Sequence, residues 1–99
     1  MISIGKSIDI SKKSFGIPSP WRKKMNITQG GIVQISIKGN CMILKICHQF
    51  TTEITSTIGK GGVIYIPVEV RNHFHLKGIT QLELFFDGDS STIICQERD

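Results

Sequence analysis

Clustered cationic side chains are the residues whose type and spacing point most directly to chemistry. Arg22, Lys23 and Lys24 are consecutive. The first fifty residues carry eight lysines and arginines against Asp9 alone, a net charge of +7, and the remaining forty-nine carry four against seven carboxylates, a net charge of −3. The chain's net charge of +4 is therefore unevenly distributed, and any polyanion should meet the first half preferentially. A merely solvated helix face is the simpler interpretation of the three adjacent cations.

Catalytic or metal chemistry has much weaker support. His73 and His75 are two residues apart, so they do not face each other on a helix. A zinc site that combines them with Cys47, His48 or Cys95 is a minor alternative, and it is the basis of a third interpretation, a zinc-dependent enzyme. The sequence contains no Ser–His–Asp pattern, phosphate loop or metal-hydrolase motif. We predict no enzyme activity, no cofactor and no metal.

The cysteines and the hydropathy bear on the compartment. Cys41, Cys47 and Cys95 are an odd number without a C-x-x-C pair, which favours reduced thiols, although a Cys47–Cys95 disulfide stays open. No apolar run approaches the roughly 20 residues that a membrane-spanning helix needs. The amino terminus also lacks the apolar core of a signal peptide. We predict a cytoplasmic protein without a membrane partner.

Two similar segments would position the cations. The segment that starts at Ile17-Pro18 matches the one that starts at Ile66-Pro67, and three landmarks keep an offset of 49 residues: Pro18 and Pro67, Arg22 and Arg71, Gly39 and Gly88. A constant offset indicates a degenerate duplication, with repeats at 1–50 and 51–99. Because each repeat is too short to bury a core alone, we expect one compact domain.

Each repeat has the pattern strand, strand, short helix, strand, strand. Alternating isoleucines predict a first strand over 2–10, with a bulge at Gly5-Lys6. Ser19 is predicted to cap a helix with Pro20 at its first position, and Gln29-Gly30-Gly31 to end it. Hairpin turns are expected at Gly39 and Gly88, and the helical spacing assigns four residues to the core: Trp21, Met25, Val70 and Phe74.

The second repeat closely resembles the SpoVT-AbrB domain of AbrB-type regulators and MazE-type antitoxins. The resemblance rests on the glycine turn Gly59-Lys60-Gly61-Gly62, the strand Val63-Ile64-Tyr65-Ile66, then Pro67 and Arg71, and the hairpin turn Asp87-Gly88-Asp89. It covers about residues 52–96 well and 1–47 more loosely. It implies a mainly β fold with short helices, an AbrB-like swapped-hairpin β-barrel, formed here as an intrachain pseudo-dimer of two ββαββ repeats.

The resemblance also implies which residues contact DNA. Arg22 and Arg71 match the family's helix arginine, and Lys23 matches the basic residue beside it, whereas Asn72 departs from that pattern. The turn lysines and the rest of the first cationic cluster complete the expected set, which is Lys12, Lys13, Arg22, Lys23, Lys24, Lys60 and Arg71. Arg71 lies near Glu69 in the acidic half, so an ion pair between Arg71 and a carboxylate is an equally good interpretation.

The sequence therefore predicts a sequence-specific or semi-specific double-stranded DNA-binding protein that regulates transcription, as one pseudo-dimer or a homodimer of pseudo-dimers. The alternative is an antitoxin-like module with a protein toxin as its partner. Family antitoxins add a long tail after the last strand, and here only Gln96-Glu97-Arg98-Asp99 follow it. This favours the DNA-binding interpretation.

Overall fold

Alternating burial produces the strands. In β3 (Ile32–Lys38), Val33 and Ile35 are buried while the residues between them face outward, and β7 (Gln81–Asp87) buries Leu82, Leu84 and Phe86 in the same way. The computed structural model describes residues 1–47 and 54–97. The remaining strands and helices are β1 (Ile2–Asp9), β2 (Ser14–Gly16), α1 (Ser19–Lys24), β4 (Cys41–Cys47), β5 (Ile54–Thr57), β6 (Val63–Tyr65), α2 (Val68–Leu76) and β8 (Thr92–Gln96).

Six strands form one antiparallel sheet in the order β1-β7-β8-β4-β3-β5, and β2 and β6 form a separate two-stranded ribbon. The sheet order is unchanged when the first four strands are exchanged with the last four. The fold is thus mainly β with two short helices. The expected closed barrel is not seen, because in the described ranges the sheet stays open, with β1 and β5 at its edges.

The residue pairing between β2 and β6 and between β4 and β8 shows how the two halves correspond. Phe15 pairs with Ile64, 49 residues later, as the repeat offset requires. In the central pair of the sheet, Ile43 pairs with Ile94, 51 residues later. The offset changes because the β3–β4 turn has two residues and the β7–β8 turn has four.

The turns predicted at Gly39 and Gly88 are confirmed, because each glycine directly follows its strand, but the two turns differ in conformation. Gly39 has a positive φ of 60°, which a tight two-residue turn needs. In the longer second turn, Ser91 takes the left-handed conformation instead, with φ 53°. The bulge expected near Gly5-Lys6 is confirmed, since the β1–β7 register shifts between Ser3 and Ser7.

Both predicted boundaries of α1 are wrong. The N-cap is Pro18 rather than Ser19, and no side chain caps the helix. The end comes at Lys24, because Asn26 (φ 56°) turns the chain and the Ile27 N–H donates to the Arg22 carbonyl, 2.9 Å away. This is a Schellman motif, with a buried isoleucine after the left-handed residue.

Helix α2 ends in the same motif. Gly78 (φ 71°) turns the chain, and the Ile79 N–H donates to the Phe74 carbonyl at 3.0 Å. Val70 and Phe74 of this helix are fully buried, while Trp21 of α1 and Met25, which follows α1 as its C-cap, are only partly buried against the core. The predicted core faces are therefore confirmed, but α2 is anchored more deeply. Neither helix in the described residues has the length and apolarity to cross a membrane.

Candidate nucleic-acid interface

The two-stranded ribbon of β2 and β6, called the central ribbon below, positions most of the predicted cations. Phe15 and Ile64 point from it into the core, whereas Ser14, Val63 and Tyr65 are exposed on its outer side. The ladder continues past both strands. The Ile66 N–H donates to the Lys13 carbonyl at 2.7 Å, and the Ile17 N–H donates to the Gly62 carbonyl at 3.2 Å.

This ladder joins each helix start to a turn of the other half. Because Ile17 lies beside Gly62, α1 begins next to the 59–62 turn of the second half. Because Ile66 lies beside Lys13, α2 begins next to the turn before β2 in the first half. Six of the seven predicted residues, all except Lys24, therefore form two groups, one at each end of the central ribbon.

The first group is the α1 cluster, which consists of Arg22, Lys23 and Lys60. The Arg22 side chain lies against the backbone of Gly62, where its Cδ occupies the space that a Cβ at position 62 would need. Gly62 also has a φ of +78°, which L side chains rarely adopt. Lys60 lies in the same turn, and both lysines of the cluster are exposed.

The Arg22 side chain donates no hydrogen bond to any other residue that the structure describes. Its Nε is buried and has no hydrogen-bond partner among the described residues. A buried guanidinium nitrogen without an acceptor is costly. The two terminal nitrogens of Arg22 are not among the buried unpartnered atoms, so they can donate to an external acceptor such as a phosphate or a base edge. No signal in the sequence could have indicated this, since it depends on the contact with Gly62.

The structure does not bring Lys24 into the α1 cluster. Its Nζ lies 5.0 Å from the centre of the Trp21 ring and 5.3 Å from that of Phe86, in cation–π geometry. The two rings are themselves in contact, with centroids 5.3 Å apart. Arg22 and Lys24 are two residues apart on the helix, so their side chains point about 200° apart. Lys24 is therefore directed away from the α1 cluster and toward the β7–β8 hairpin.

The second group is the α2 cluster, which consists of Lys12, Lys13 and Arg71. The Arg71 Nε donates to the Ile66 carbonyl at 3.1 Å, and its guanidinium lies 5.9 Å from the Tyr65 ring centre, with a long 3.4 Å contact to the Tyr65 hydroxyl. The predicted alternative of an Arg71–carboxylate ion pair is not found among the described residues. Arg71 is held by its own half, whereas Arg22 is not.

A carboxylate shapes the turn that carries the α2-cluster lysines. Asp9 accepts hydrogen bonds from the Ser11 hydroxyl at 2.6 Å and from the Ser11 backbone N–H at 2.9 Å. Those two hydrogen bonds, the hydroxyl first, hold the pKa of Asp9 below its ordinary value. Asp9 and the exposed Glu69 at the start of α2 thus place negative charge near this cluster, and no acidic residue lies in the first turn of α1.

Two further residues of this surface, Lys6 and Tyr65, are not among the predicted DNA contacts. The Lys6 Nζ donates to the Gly16 carbonyl at 2.6 Å, so this cation braces the central ribbon from β1. Tyr65 is about half exposed on the ribbon, beside Arg71. The predicted bulge at Gly5 could have pointed to Lys6. The Gly16 carbonyl that accepts from Lys6 lies on another strand, however, so the contact itself could not be predicted.

The cysteines and histidines build no site in the described residues. No disulfide links Cys41, Cys47 or Cys95, and burial raises the pKa of the Cys95 thiol far above its ordinary value. No three His, Cys, Asp or Glu side chains are grouped to hold a metal ion in residues 1–47 and 54–97. His48, named in the zinc alternative, lies outside the described residues.

Comparison of the chain with protein-family models, with curated proteins and with solved structures gives no match. The resemblance to the SpoVT-AbrB domain stays a hypothesis that rests on the residues quoted for it.

Proposed function

We propose that this protein binds double-stranded DNA through the central ribbon and the cationic clusters at its two ends, and that it regulates transcription by occupying its DNA site. The observation that carries the proposal is the ladder that joins Ile17 to Gly62 and Ile66 to Lys13. This ladder brings six cations from distant parts of the sequence to the two ends of the central ribbon.

The dimensions of the central ribbon and of the whole molecule suit a DNA duplex. From the Lys13–Ile66 row to the Ile17–Gly62 row is four residues, or about 13 Å at roughly 3.3 Å per residue. The whole molecule measures 32 × 28 × 24 Å, and one turn of B-DNA is about 34 Å long. A single molecule would therefore cover about one helical turn, on the order of 10 base pairs.

The electrostatics support contacts to the DNA backbone. Among the described residues, Lys12 interacts electrostatically with the Asp9 carboxylate, and the other five cluster cations have no carboxylate partner, so they are available to phosphates. Each neutralised phosphate releases counterions, and six contacts would make log K fall by about 5 per decade of salt. Affinity of this kind needs no catalytic group.

The finer interpretation of the fold supports the same proposal. A sheet order that survives exchange of the two halves is the order expected when two ββαββ units interlace their hairpins, as the swapped-hairpin family does with two chains. Under this interpretation, one chain supplies both ββαββ units. Each DNA-contacting end then contains residues of both repeats.

A charge-matched pair of variants tests the proposal. Lys23→Ala with Lys60→Ala removes two cations from the α1 cluster, and Lys38→Ala with Lys45→Ala removes two exposed cations from the six-stranded sheet. We expect the first variant to lower duplex affinity at least tenfold and to reduce the salt slope by about 2, because about 0.9 is lost per contact. The second should retain the affinity and slope of the unaltered protein.

Gel shift and fluorescence anisotropy with a duplex of random sequence, at several salt concentrations, would measure both effects. Circular dichroism would establish that both variants fold. Equal losses in the two variants would mean that binding follows net charge alone. No duplex binding by the unaltered protein at low salt would refute the proposed function.

A further inference from the structure

The two ends of the central ribbon differ in how each holds its helix arginine, and we propose that this makes the DNA site asymmetric. In this proposal, which rests on the proposed function, the α1 cluster recognises bases and the α2 cluster anchors phosphates. The protein then binds a non-palindromic duplex in one fixed orientation. A homodimer with two identical ends would instead favour a palindrome.

The first argument is the state of the two arginines. Arg71 already donates its Nε to the Ile66 carbonyl and lies against Tyr65, so part of its fork is used inside the protein. Arg22 has a buried Nε without an acceptor in the described residues. Its two terminal nitrogens donate no hydrogen bond to the described residues and are not buried, so they can donate two parallel hydrogen bonds to a guanine edge, the commonest specific contact in the major groove.

The second argument is the local charge. The first turn of α1 has no acidic residue, and Lys23 and Lys60 are exposed beside Arg22. The α2 cluster has Glu69 in the first helical turn and Asp9 before its lysines. Lysines act as point charges toward phosphates, so Lys12 and Lys13 would position the protein without selecting a base.

The third argument is that Gly62 places Arg22. A side chain at position 62 would collide with Arg22 Cδ, so the present path of Arg22 requires glycine there. The matching position in the first half, by the 49-residue offset, is Lys13, which has a full side chain. The α2 end therefore has no equivalent backbone surface for Arg71, and its guanidinium follows another path, onto Tyr65.

Selection of tight-binding duplexes from a random pool, followed by affinity measurements on the selected and an unselected duplex, tests the proposal. We expect a non-palindromic consensus. Arg22→Lys keeps the charge and loses the fork, so it should lower the ratio of specific to non-specific affinity by roughly 10- to 100-fold. Arg71→Lys should leave that ratio within about threefold of its original value.

A pair of glycine variants separates the placement of Arg22 from backbone strain. Gly61 (φ +76°) and Gly62 (φ +78°) have nearly the same conformation, but a Cβ at position 61 would meet nothing within 4 Å. Both alanine variants should lose similar stability. Only Gly62→Ala should also lose specificity, since only it displaces Arg22.

Each outcome decides between the proposals. A palindromic consensus, or equal losses of specificity in Arg22→Lys and Arg71→Lys, would overturn the asymmetric site and leave DNA binding intact. Equal specificity in Gly61→Ala and Gly62→Ala would also overturn it. A pool in which no duplex is enriched by the unaltered protein at low salt would instead overturn the proposed function itself.

Discussion

The α1 end and the α2 end of the central ribbon are built from the same kinds of element. They differ in how deeply the helix is buried and in whether the helix arginine is hydrogen-bonded. Helix α2 has nine residues and buries Val70 and Phe74 completely. Helix α1 has six residues and contributes no fully buried side chain. The end with the less deeply anchored helix is also the end whose arginine has an unused donor.

The difference shows that one repeat of a duplicated fold can supply stability while the other carries the binding residues. Deep burial of Val70 and Phe74 supplies stability that the shorter helix does not, since each fully buried apolar side chain contributes about 1.5–3 kcal/mol. The first helix can then carry cations and an unsatisfied Arg22 Nε without endangering the fold. Three stability measurements would test this comparison.

Truncation of the two helix anchors should give the largest effects. Phe74→Ala should destabilise the protein by about 3–5 kcal/mol, because Phe74 is fully buried. Trp21→Ala should cost about half as much, since Trp21 is only partly buried. Urea unfolding followed by circular dichroism suits both variants, because Trp21 is the sole tryptophan. Equal costs would contradict the unequal anchoring.

The helix ends should give smaller effects of opposite sign. Gly78→Ala places a Cβ in the left-handed conformation that ends α2 and should cost about 1–2 kcal/mol. Asn26→Gly relieves the same conformation at the end of α1 and should stabilise the protein by up to about 1 kcal/mol. Thermal unfolding would compare the two variants directly. A loss of stability in Asn26→Gly would show that the two helix ends are not equivalent.

The edge strands should give an effect no larger than those of the helix ends. In β1, Ile8 pairs with Leu82, and in β5, Ser56 pairs with Val33, which matches Leu82 by the repeat offset. Ser56 thus stands where the other half has a core isoleucine, and its buried hydroxyl has no partner in the described part of the chain. Ser56→Ala should therefore stabilise the protein by about 1 kcal/mol in denaturant unfolding.

The neighbouring Thr55→Ala is the matched control for that measurement, because Thr55 is exposed on the same strand and should change stability little. A gain in Thr55→Ala equal to that in Ser56→Ala would indicate a general preference of the strand for alanine. No gain in Ser56→Ala would show that its hydroxyl is satisfied in solution.

Much of the local structure could be predicted from the sequence. Apolar alternation located the strands, the two Ile-Pro pairs preceded both helices, and the spacing of Val70 and Phe74 identified a buried face. The end of α1 was misplaced, since the signal of Gly30-Gly31 looked stronger than that of Asn26, the residue that adopts the left-handed conformation. The turns at Gly39 and Gly88 are predictable too, but the two extra residues of the second turn and the left-handed conformation of Ser91 have no local signal.

The order of residues along the chain sets the alternating patterns, the repeat spacing and the unequal charge of the two halves, because none of these depends on contacts between distant segments. The tertiary structure alone decided which cations lie together. Pairing of β2 with β6 brings Arg22 against Gly62, forty residues away, and the turn of α1 directs Lys24 to Phe86 instead. Such contacts depend on strand register and helix rotation between distant segments, and no local pattern encodes either.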